Sequence, residues 1–284
     1  MEAASMRILP RPGAAQEKEF ANRLADALAT ADSLLTAWPE RPTWCEKAVL
    51  GLRQRSACAG KAVTVLHKAG CCLDMANVAR VAFESMITAL HILHDPEPNQ
   101  RARQYTDIML YTRLVQRRRY VLDLGITPGV QVVKGQPAED WLNAQVDKAK
   151  QDCDPLYRDS EEWKVWAMCE GLGLRRLYLR CYRPLCAYAH PDPMVLDRLA
   201  LEPLGADTLE DWRTTANMAL GITAGCLEVL NEIATVTQKR RGSKMLHNAW
   251  HQIESFMENV FPPGTGRLLG PPPARPAPTR ATTC

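Results

Sequence analysis

The chain has 284 residues, 46% hydrophobic and 24% charged, which is enough for one large hydrophobic core and typical of a globular protein. The balance of 35 Lys and Arg against 32 Asp and Glu excludes a histone-like protein, so any nucleic-acid binding must come from local patches. Ten cysteines without a Cys-x-x-Cys pair or a secretory signal argue against a disulfide scaffold. The longest uncharged stretch of note, Thr214–Leu227, is too short to cross a bilayer. We therefore expect a cytoplasmic protein without membrane association.

Apolar residues recur with helical spacing through most of the chain, and Pro and Gly separate the repeats. This pattern predicts helices over residues 17–37, 44–68, 72–94, 99–123 and 138–151. Residues 125–136 are expected to be a loop, with a short β-hairpin as the alternative. Thr208-Leu-Glu-Asp211 matches a capping box and predicts the start of a long apolar helix, and another amphipathic helix is expected between Lys244 and Phe261.

These elements predict an all-α, multi-helix bundle that forms a single domain over residues 17–261, with its core at about 45–237. Residues 1–16 are expected to be a disordered N-terminal tail. Residues 262–284, which include Pro-Pro-Pro-Ala-Arg-Pro-Ala-Pro, are expected to be a disordered C-terminal tail.

The most informative segment is residues 175–193, which carries four arginines and no acid between Glu170 and Asp192. Within it, Arg183 and His190 are seven positions apart. In a continuous helix that spacing puts both side chains on one face, about 10 Å apart along the axis. A bound phosphate group could contact both.

Two motifs carry a resemblance to a known family: Asn77-Val-Ala-Arg80-Val-Ala-Phe-Glu84 in a core helix, and Tyr182-Arg183-Pro-Leu-Cys-Ala-Tyr-Ala-His190-Pro after an Arg-rich helix. Over about residues 45–237 the chain resembles domain-of-unknown-function family 5677, which looks related to the HEPN superfamily of helical nucleotide-binding domains. The resemblance implies a helical bundle that cleaves RNA without a metal or cofactor, through an Arg-x4–6-His motif at a homodimer interface. It also implies a bacterial stress or phage-defence role, with a partner or antitoxin protein as a further ligand.

His, Arg and Tyr side chains suit the chemistry of such cleavage. It requires proton transfer at the 2′-hydroxyl and at the leaving oxygen, together with a fixed cation beside the phosphate. His190, placed before Pro191 at a helix C-terminus, would favour the protonated form that a general acid needs. Arg183 presents a planar fork to two phosphate oxygens, and Tyr182 and Tyr188 could stack on bases.

Arg80 and Glu84 are expected to support this site. Because they are four residues apart beside the apolar stripe of a core helix, we expect Glu84 to meet Arg183 or His190 across the bundle and to orient it. The alternative is an intrahelical Arg80–Glu84 pair that contributes only about 0.3 kcal/mol.

Further cations would bind the RNA backbone. The basic segments 113–119, 175–183 and 239–244 would form one electrostatic footprint if they converge on one side of the molecule. The residues expected to contact RNA are Arg113, Arg117, Arg118, Arg176, Arg180 and Tyr188. Basic segments are otherwise common as solvated helix faces, and both interpretations stay open.

Three other interpretations compete with the RNA site. His91 and His94, followed by Asp95, could begin a metal site, but no third ligand is marked and no metal is expected. Cys186 and His190 could form a thiol dyad, although no third residue to orient it is evident. From a different functional class, the chain could be a non-catalytic interaction module in which Arg183 and His190 are structural.

Overall fold

The computed structural model describes residues 14–34, 42–123, 132–133, 136–153, 161–189 and 206–238. Within these ranges the first five helices are α1 (Ala14–Leu34), α2 (Trp44–Lys68), α3 (Cys72–His94), α4 (Pro98–Asp123) and α5 (Ala138–Asp152). A 3-10 turn, Glu161–Trp163, precedes α6 (Val165–Gly171). Helix α7 joins α-helical Arg175–Leu177, a π-helical turn Tyr178–Tyr182 and α-helical Arg183–Ala189, and α8 is Ala206–Gln238.

The fold is all-α, as the helical spacing predicted. Both ends of α2 have a local cause. Thr43 accepts a hydrogen bond from the Glu46 amide at 3.2 Å while the Glu46 carboxylate accepts one from the Thr43 amide at 2.7 Å, which completes a capping box. After the C-terminus, Gly70 has a φ of 73°, a conformation that glycine adopts without strain, and the chain turns directly into α3.

Three local predictions differ from the structure. Helix α1 begins at Ala14, so residues 14–16 are helical and not part of the predicted disordered tail 1–16. Helix α8 begins at Ala206, two residues before the Thr208 capping box that was predicted to open it. The segment expected to be a loop contains a short antiparallel ladder, in which Val132 pairs with Pro137 and Val133 with Gln136. The predicted tail 262–284 and the predicted helix up to Phe261 lie outside the described residues.

Helix α3 lies at the centre of the bundle and packs against α2, α7 and α8, while α1 packs against α8. Its apolar stripe is fully buried; Met75, Ala79, Phe83 and Ile87 each expose none of their surface. A close approach completes the packing of α1 on α8, because a Cβ at Gly221 would lie 3.2 Å from the Phe20 ring. The bundle is therefore organised around one helix that has neighbours on most of its sides.

Three helices meet at a buried arginine. Arg53 of α2 is 1% exposed, and its Nε donates to the Asn231 Oδ1 of α8 at 2.8 Å while its Nη2 donates to the Ala31 carbonyl of α1. Asn231 also donates to the Ala27 carbonyl at 2.8 Å. Burial lowers the pKa of Arg53 below its ordinary value, since the charged form has lost most of its water. These bonds compensate part of the cost of burial, since Nη1 of Arg53 is buried without a hydrogen-bond partner, and they fix α1, α2 and α8 relative to one another.

One described helix is long and apolar enough to span a membrane by length and composition, over Thr215–Thr235 of α8. In the folded protein 78% of its apolar window is buried against other helices, which is also the property of a core helix.

Replacing Asn231 with leucine should destabilise the protein by about 2–4 kcal/mol, because it removes one acceptor from a buried guanidinium. Adding Arg53→Met to Asn231→Leu should recover part of that loss, since no charge then stays buried without its partner. Urea denaturation measures both free energies of unfolding. Lys61→Ala, which removes an exposed 2.9 Å ion pair with Asp32, is the control and should change stability by less than about 0.5 kcal/mol. A double variant less stable than Asn231→Leu alone would contradict this account.

Candidate functional site

A polar face runs along the otherwise apolar helix α3. Arg80, Glu84 and His91 lie within one narrow sector of the helix, because spacings of four and seven residues return to nearly the same direction. We call these three residues the polar face of α3. Their side chains are 21%, 25% and 13% exposed, so each must find partners among the neighbouring helices.

Glu84 is the centre of the first group of partners. Its Oε1 accepts a hydrogen bond of 2.8 Å from the Tyr182 hydroxyl of α7, and its Oε2 lies 3.3 Å from Nη2 of Arg55 in α2. The Nη2 of Arg80 donates to the same tyrosine oxygen at 3.3 Å and lies 3.7 Å from the Glu84 carboxylate. The carboxylate therefore links α2, α3 and α7 at one point.

Protonation states in this group follow from its burial. Burial raises the pKa of Tyr182 well above its ordinary value, so the hydroxyl stays a donor to Glu84. Burial alone would lower the pKa of Arg80, but its contacts with Tyr182 and Glu84 hold it above the ordinary value. Both groups keep one charge state across the physiological range, so the network is a fixed support.

Aromatic contacts hold α7 against α3 at the same place. The Tyr182 ring lies 5.3 Å from the Phe83 ring and 5.6 Å from the Tyr178 ring, and the Arg80 guanidinium carbon lies 5.4 Å from its centroid. Tyr178 and Tyr182 begin and end the π-helical turn of α7. Such turns are uncommon and often occur near functional sites.

The expected contact between Glu84 and Arg183 is wrong, because Tyr182 makes that contact. Arg183 follows Tyr182 and points about 100° further round the helix, where its side chain is exposed. In the part of the chain that is described, no acidic group forms an ion pair with Arg183. His190 lies outside the described residues, so its expected contact with Glu84 cannot be placed.

The residues expected to bind RNA lie on two helices. Arg113, Arg117 and Arg118 are exposed on α4, which packs mainly on α2 and α5. Arg176 is exposed and Arg180 half-buried on α7, which packs mainly on α3. The contacts of the described residues do not bring these arginines together. Residues 239–244 and the side chain of Tyr188 lie outside the part of the chain that the structure describes.

Sequence reasoning missed a second group of partners, at the other end of the polar face. Arg101 of α4 donates to the Nε2 of His91 at 2.9 Å, forms an ion pair with Glu162, and stacks 4.7 Å from the centroid of Trp163. The Trp163 ring also meets His91 at 5.2 Å and Tyr105 at 5.3 Å. The arginine-rich composition of α4 was visible in the sequence, but nothing in it singled out Arg101 or Trp163.

These contacts determine the state of His91. Because its Nε2 accepts a hydrogen bond, the proton of the neutral ring lies on Nδ1. Burial and the nearby positive charge of Arg101 lower the pKa of His91 to about 4, while Asp95 opposes and His94 adds to the shift. The lone pair of His91 Nε2 thus accepts a hydrogen bond from Arg101 and is not open to a metal ion. Among the described residues, no three His, Cys, Asp or Glu side chains form a cluster that could hold a metal.

The cysteines near the site are protected thiols. Cys181 is fully buried, and burial raises its thiol pKa far above the ordinary value. Cys186 is half-buried, and burial raises its pKa while Arg80 and Tyr182 oppose that shift. The proposed partner of Cys186 in a thiol dyad, His190, lies outside the described residues.

The stability of the protein should fall as the pH falls from about 6.5 to about 4. In that window the unfolded chain binds a proton at His91 that the folded protein, with its pKa of about 4, does not bind. The full effect is on the order of 3 kcal/mol, since each pKa unit corresponds to about 1.4 kcal/mol. Chemical denaturation across this range measures it.

The matched variants for this measurement are His91→Gln and His94→Gln. The glutamine at position 91 offers Arg101 an amide oxygen but does not titrate. The free energy of unfolding of this variant should therefore fall less between pH 6.5 and pH 4 than that of the wild type, by on the order of 3 kcal/mol. The His94→Gln variant keeps His91, so its stability should fall with falling pH as that of the wild type does. An unchanged slope in His91→Gln would show that other groups cause the acid sensitivity.

Comparison with known protein families gives a match. A family model described as a family of unknown function, DUF5677, matches residues 46–204, which is more than half of the chain. The match includes the polar face of α3 and both partner groups described above. The curated proteins and the solved structures each gave no match. On this coverage, the chain belongs to the family of unknown function DUF5677.

Proposed function

We propose that this protein is a metal-independent, HEPN-like endoribonuclease or RNA-binding protein of bacterial stress or phage-defence type. The observation that carries the proposal is the position of Arg183. It is exposed, it directly follows Tyr182, and the bonds of Tyr182 to Arg80 and Glu84 hold that part of α7 against α3. An exposed cation on a rigid support is what recognition of a phosphate requires.

Each residue has a distinct role in this proposal. Arg183 binds two oxygens of the scissile phosphate and stabilises the charge that develops there. His190, seven residues later, transfers the proton to the leaving oxygen. Tyr182 is 8% exposed and its ring packs on Phe83, so the stacking on a base expected from the sequence is wrong. In this proposal Tyr182, Arg80 and Glu84 position Arg183 by fixing α7.

The remaining basic residues would bind the RNA backbone rather than the scissile phosphate. Arg176 and Arg180 precede Arg183 on α7, and Tyr188 follows it in the sequence. Arg113, Arg117 and Arg118 on α4 are exposed and would contact a longer RNA. Their contribution should fall steeply with salt, because phosphate contacts release bound counterions.

The second candidate function is a non-catalytic interaction module. Arg80, Glu84 and Tyr182 bond to one another, and Tyr182 is only 8% exposed, so helix packing alone could explain why these residues meet. This alternative requires Arg183 to be structural as well. The exposure of Arg183 argues for the first proposal instead.

Arg183→Lys and His190→Ala should each abolish cleavage of total RNA in the presence of a chelator. Lysine keeps the charge but not the planar fork, and alanine removes the proton donor. We expect the thermal midpoint of Arg183→Lys to stay within about 2 °C of the wild type, since exposed substitutions change stability little.

Arg175→Lys is the matched control, because Arg175 lies on the same helix, is 75% exposed and forms only a 3.7 Å pair with Glu170. It should cleave like the wild type. Wild-type protein that neither cleaves nor binds RNA, together with a large loss of stability in both site variants, would establish the interaction module.

The ribonuclease proposal also predicts a homodimer. One copy supplies one imidazole, whereas cleavage needs a proton acceptor and a proton donor, and a twofold axis near α7 would bring two copies of the motif together. The arginines of the two copies repel, so the dimer should persist or tighten as salt rises while RNA affinity falls. Sedimentation at micromolar concentration checks this, and a monomer at every salt concentration, with and without RNA, would exclude the composite site.

A further inference from the structure

Helix α4 has an exposed face whose apolar residues the proposed reaction does not explain. Thr106, Met109, Leu110, Arg113 and Arg117 are all exposed, and at about 100° per residue they fall within a sector of about 100° on one side of the helix. We call these five residues the open face of α4. The helix packs on α2 and α5 with its other sides.

The open face combines apolar and cationic side chains. Met109 and Leu110 are 42% and 51% exposed, which is unusual for large apolar residues on the surface of one helix. Arg113 and Arg117 lie one and two turns further along, and the sequence holds no acid between Asp107 and Asp123. Within the described ranges, neither arginine has an ion-pair partner. A ligand that fits the open face should therefore offer an apolar surface to Met109 and Leu110 and acidic groups to Arg113 and Arg117.

A second copy of the protein and an RNA strand each fit the open face less well than an amphipathic helix does. A second copy of the open face would place arginines against arginines, and like charges opposed across an interface cost several kcal/mol. An RNA strand would pair with the arginines but would leave Met109 and Leu110 in contact with phosphate and water. A helix that offers both an apolar stripe and carboxylates satisfies both parts of the face.

The chain itself contains such a segment outside the described residues. In residues 245–261, apolar residues recur at helical spacing, namely Leu246, Ala249, Trp250, Ile253, Phe256, Met257 and Val260. Glu254 and Glu258 border this stripe, and the segment has no Lys or Arg. The flanking residues are basic, with Lys239, Arg240, Arg241 and Lys244 before it and Arg267 after it. Glu254 and Glu258 are thus the only acids beyond Glu232, and they are four residues apart, like Arg113 and Arg117.

The connection is long enough to reach the open face. Helix α8 ends at Gln238, seven residues beyond Asn231, which is bonded to Arg53 of α2, and α2 packs on α4. The seven residues from Gln238 to Met245 span up to about 25 Å when extended, and a helix over the next eight residues to Ile253 adds about 12 Å. Packed helices lie about 8–10 Å apart, so this connection is long enough to pass α2 and reach α4.

We propose that residues 245–261 bind as an amphipathic helix to the open face of α4 of the same chain. Ile253 and Met257 cover Met109 and Leu110, and Glu254 and Glu258 pair with Arg113 and Arg117. A helix of 17 residues is marginal alone in water, so its order depends on this contact. The proposal does not rest on the ribonuclease function, because it needs only the exposed face and the sequence of the segment. While the segment is bound, Arg113 and Arg117 pair with it instead of RNA, and only Arg118 of the three α4 arginines stays open to RNA.

Hydrogen exchange on the full chain tests this contact through a charge swap. The first variant is Arg113→Glu with Arg117→Glu, the second is Glu254→Arg with Glu258→Arg, and the third combines all four changes. The first and second should each lower the protection of amides in residues 250–260 by about tenfold, since opposed like charges replace two ion pairs. The third should restore the protection, because it exchanges the signs without changing the pairing.

Two controls complete the test. Arg118 lies on a different side of α4 from the open face. The Arg118→Glu variant should therefore leave the protection of residues 250–260 within about twofold of the wild type. Circular dichroism should show that α1–α8 stay folded in every variant, because the substituted arginines are exposed. The first and second variants should lose at most the helical signal of the 17-residue segment. The measurement is repeated at two protein concentrations and with added single-stranded RNA.

Failure of the combined variant to restore protection would overturn the proposal, as would unprotected amides throughout residues 250–260 of the wild type. Protection that appears only at high protein concentration would assign the contact to two copies and would also overturn it. If the open face of α4 becomes protected only when RNA is added, RNA is its occupant and the segment is not.

Discussion

The hydrogen bond from Tyr182 to Glu84 is the interaction on which the arrangement of the site depends. Helix α3 is buried on most sides, yet its polar face brings a carboxylate, an arginine and a histidine into the interior. A half-buried carboxylate without a donor would cost several kcal/mol, so its partner decides which helices can lie beside it. Arg55 and Tyr182 supply those donors, and through them α2 and α7 take fixed positions against α3.

The two ends of the polar face differ in how they respond to pH. Around Glu84 the partners are an arginine and a tyrosine, both of which keep their proton near neutrality. Around His91 the partner is an arginine that donates to a neutral ring, so protonation of that ring removes the acceptor and places two cations 2.9 Å apart. One end therefore keeps its bonds at every physiological pH, whereas the other loses the Arg101–His91 hydrogen bond when His91 is protonated.

Much of the fold could be predicted because it depends on local pattern. The bounds of α2 and α3 coincide with the predicted ones, since capping residues and apolar spacing are visible in the sequence. The partner of Glu84 could not be predicted in the same way. It depends on which residue of α7 faces α3, and the π-helical turn before Arg183 changes the rotation that a regular helix would give. Arg101 and Trp163 come from segments about 60 residues apart, so their contact depends on tertiary packing alone.

The π-helical turn in α7 has a consequence for the length of this helix. It contains one residue more than an α-helical turn would need, and the buried side chains of Leu177 and Leu185 lie on either side of it. Removing one residue from within the turn would return the segment to regular α-helix and leave both leucines on the buried side. The helix can thus lose a residue there without losing its packing, but Arg80 and Glu84 keep their partner only if Tyr182 is not the residue that is lost.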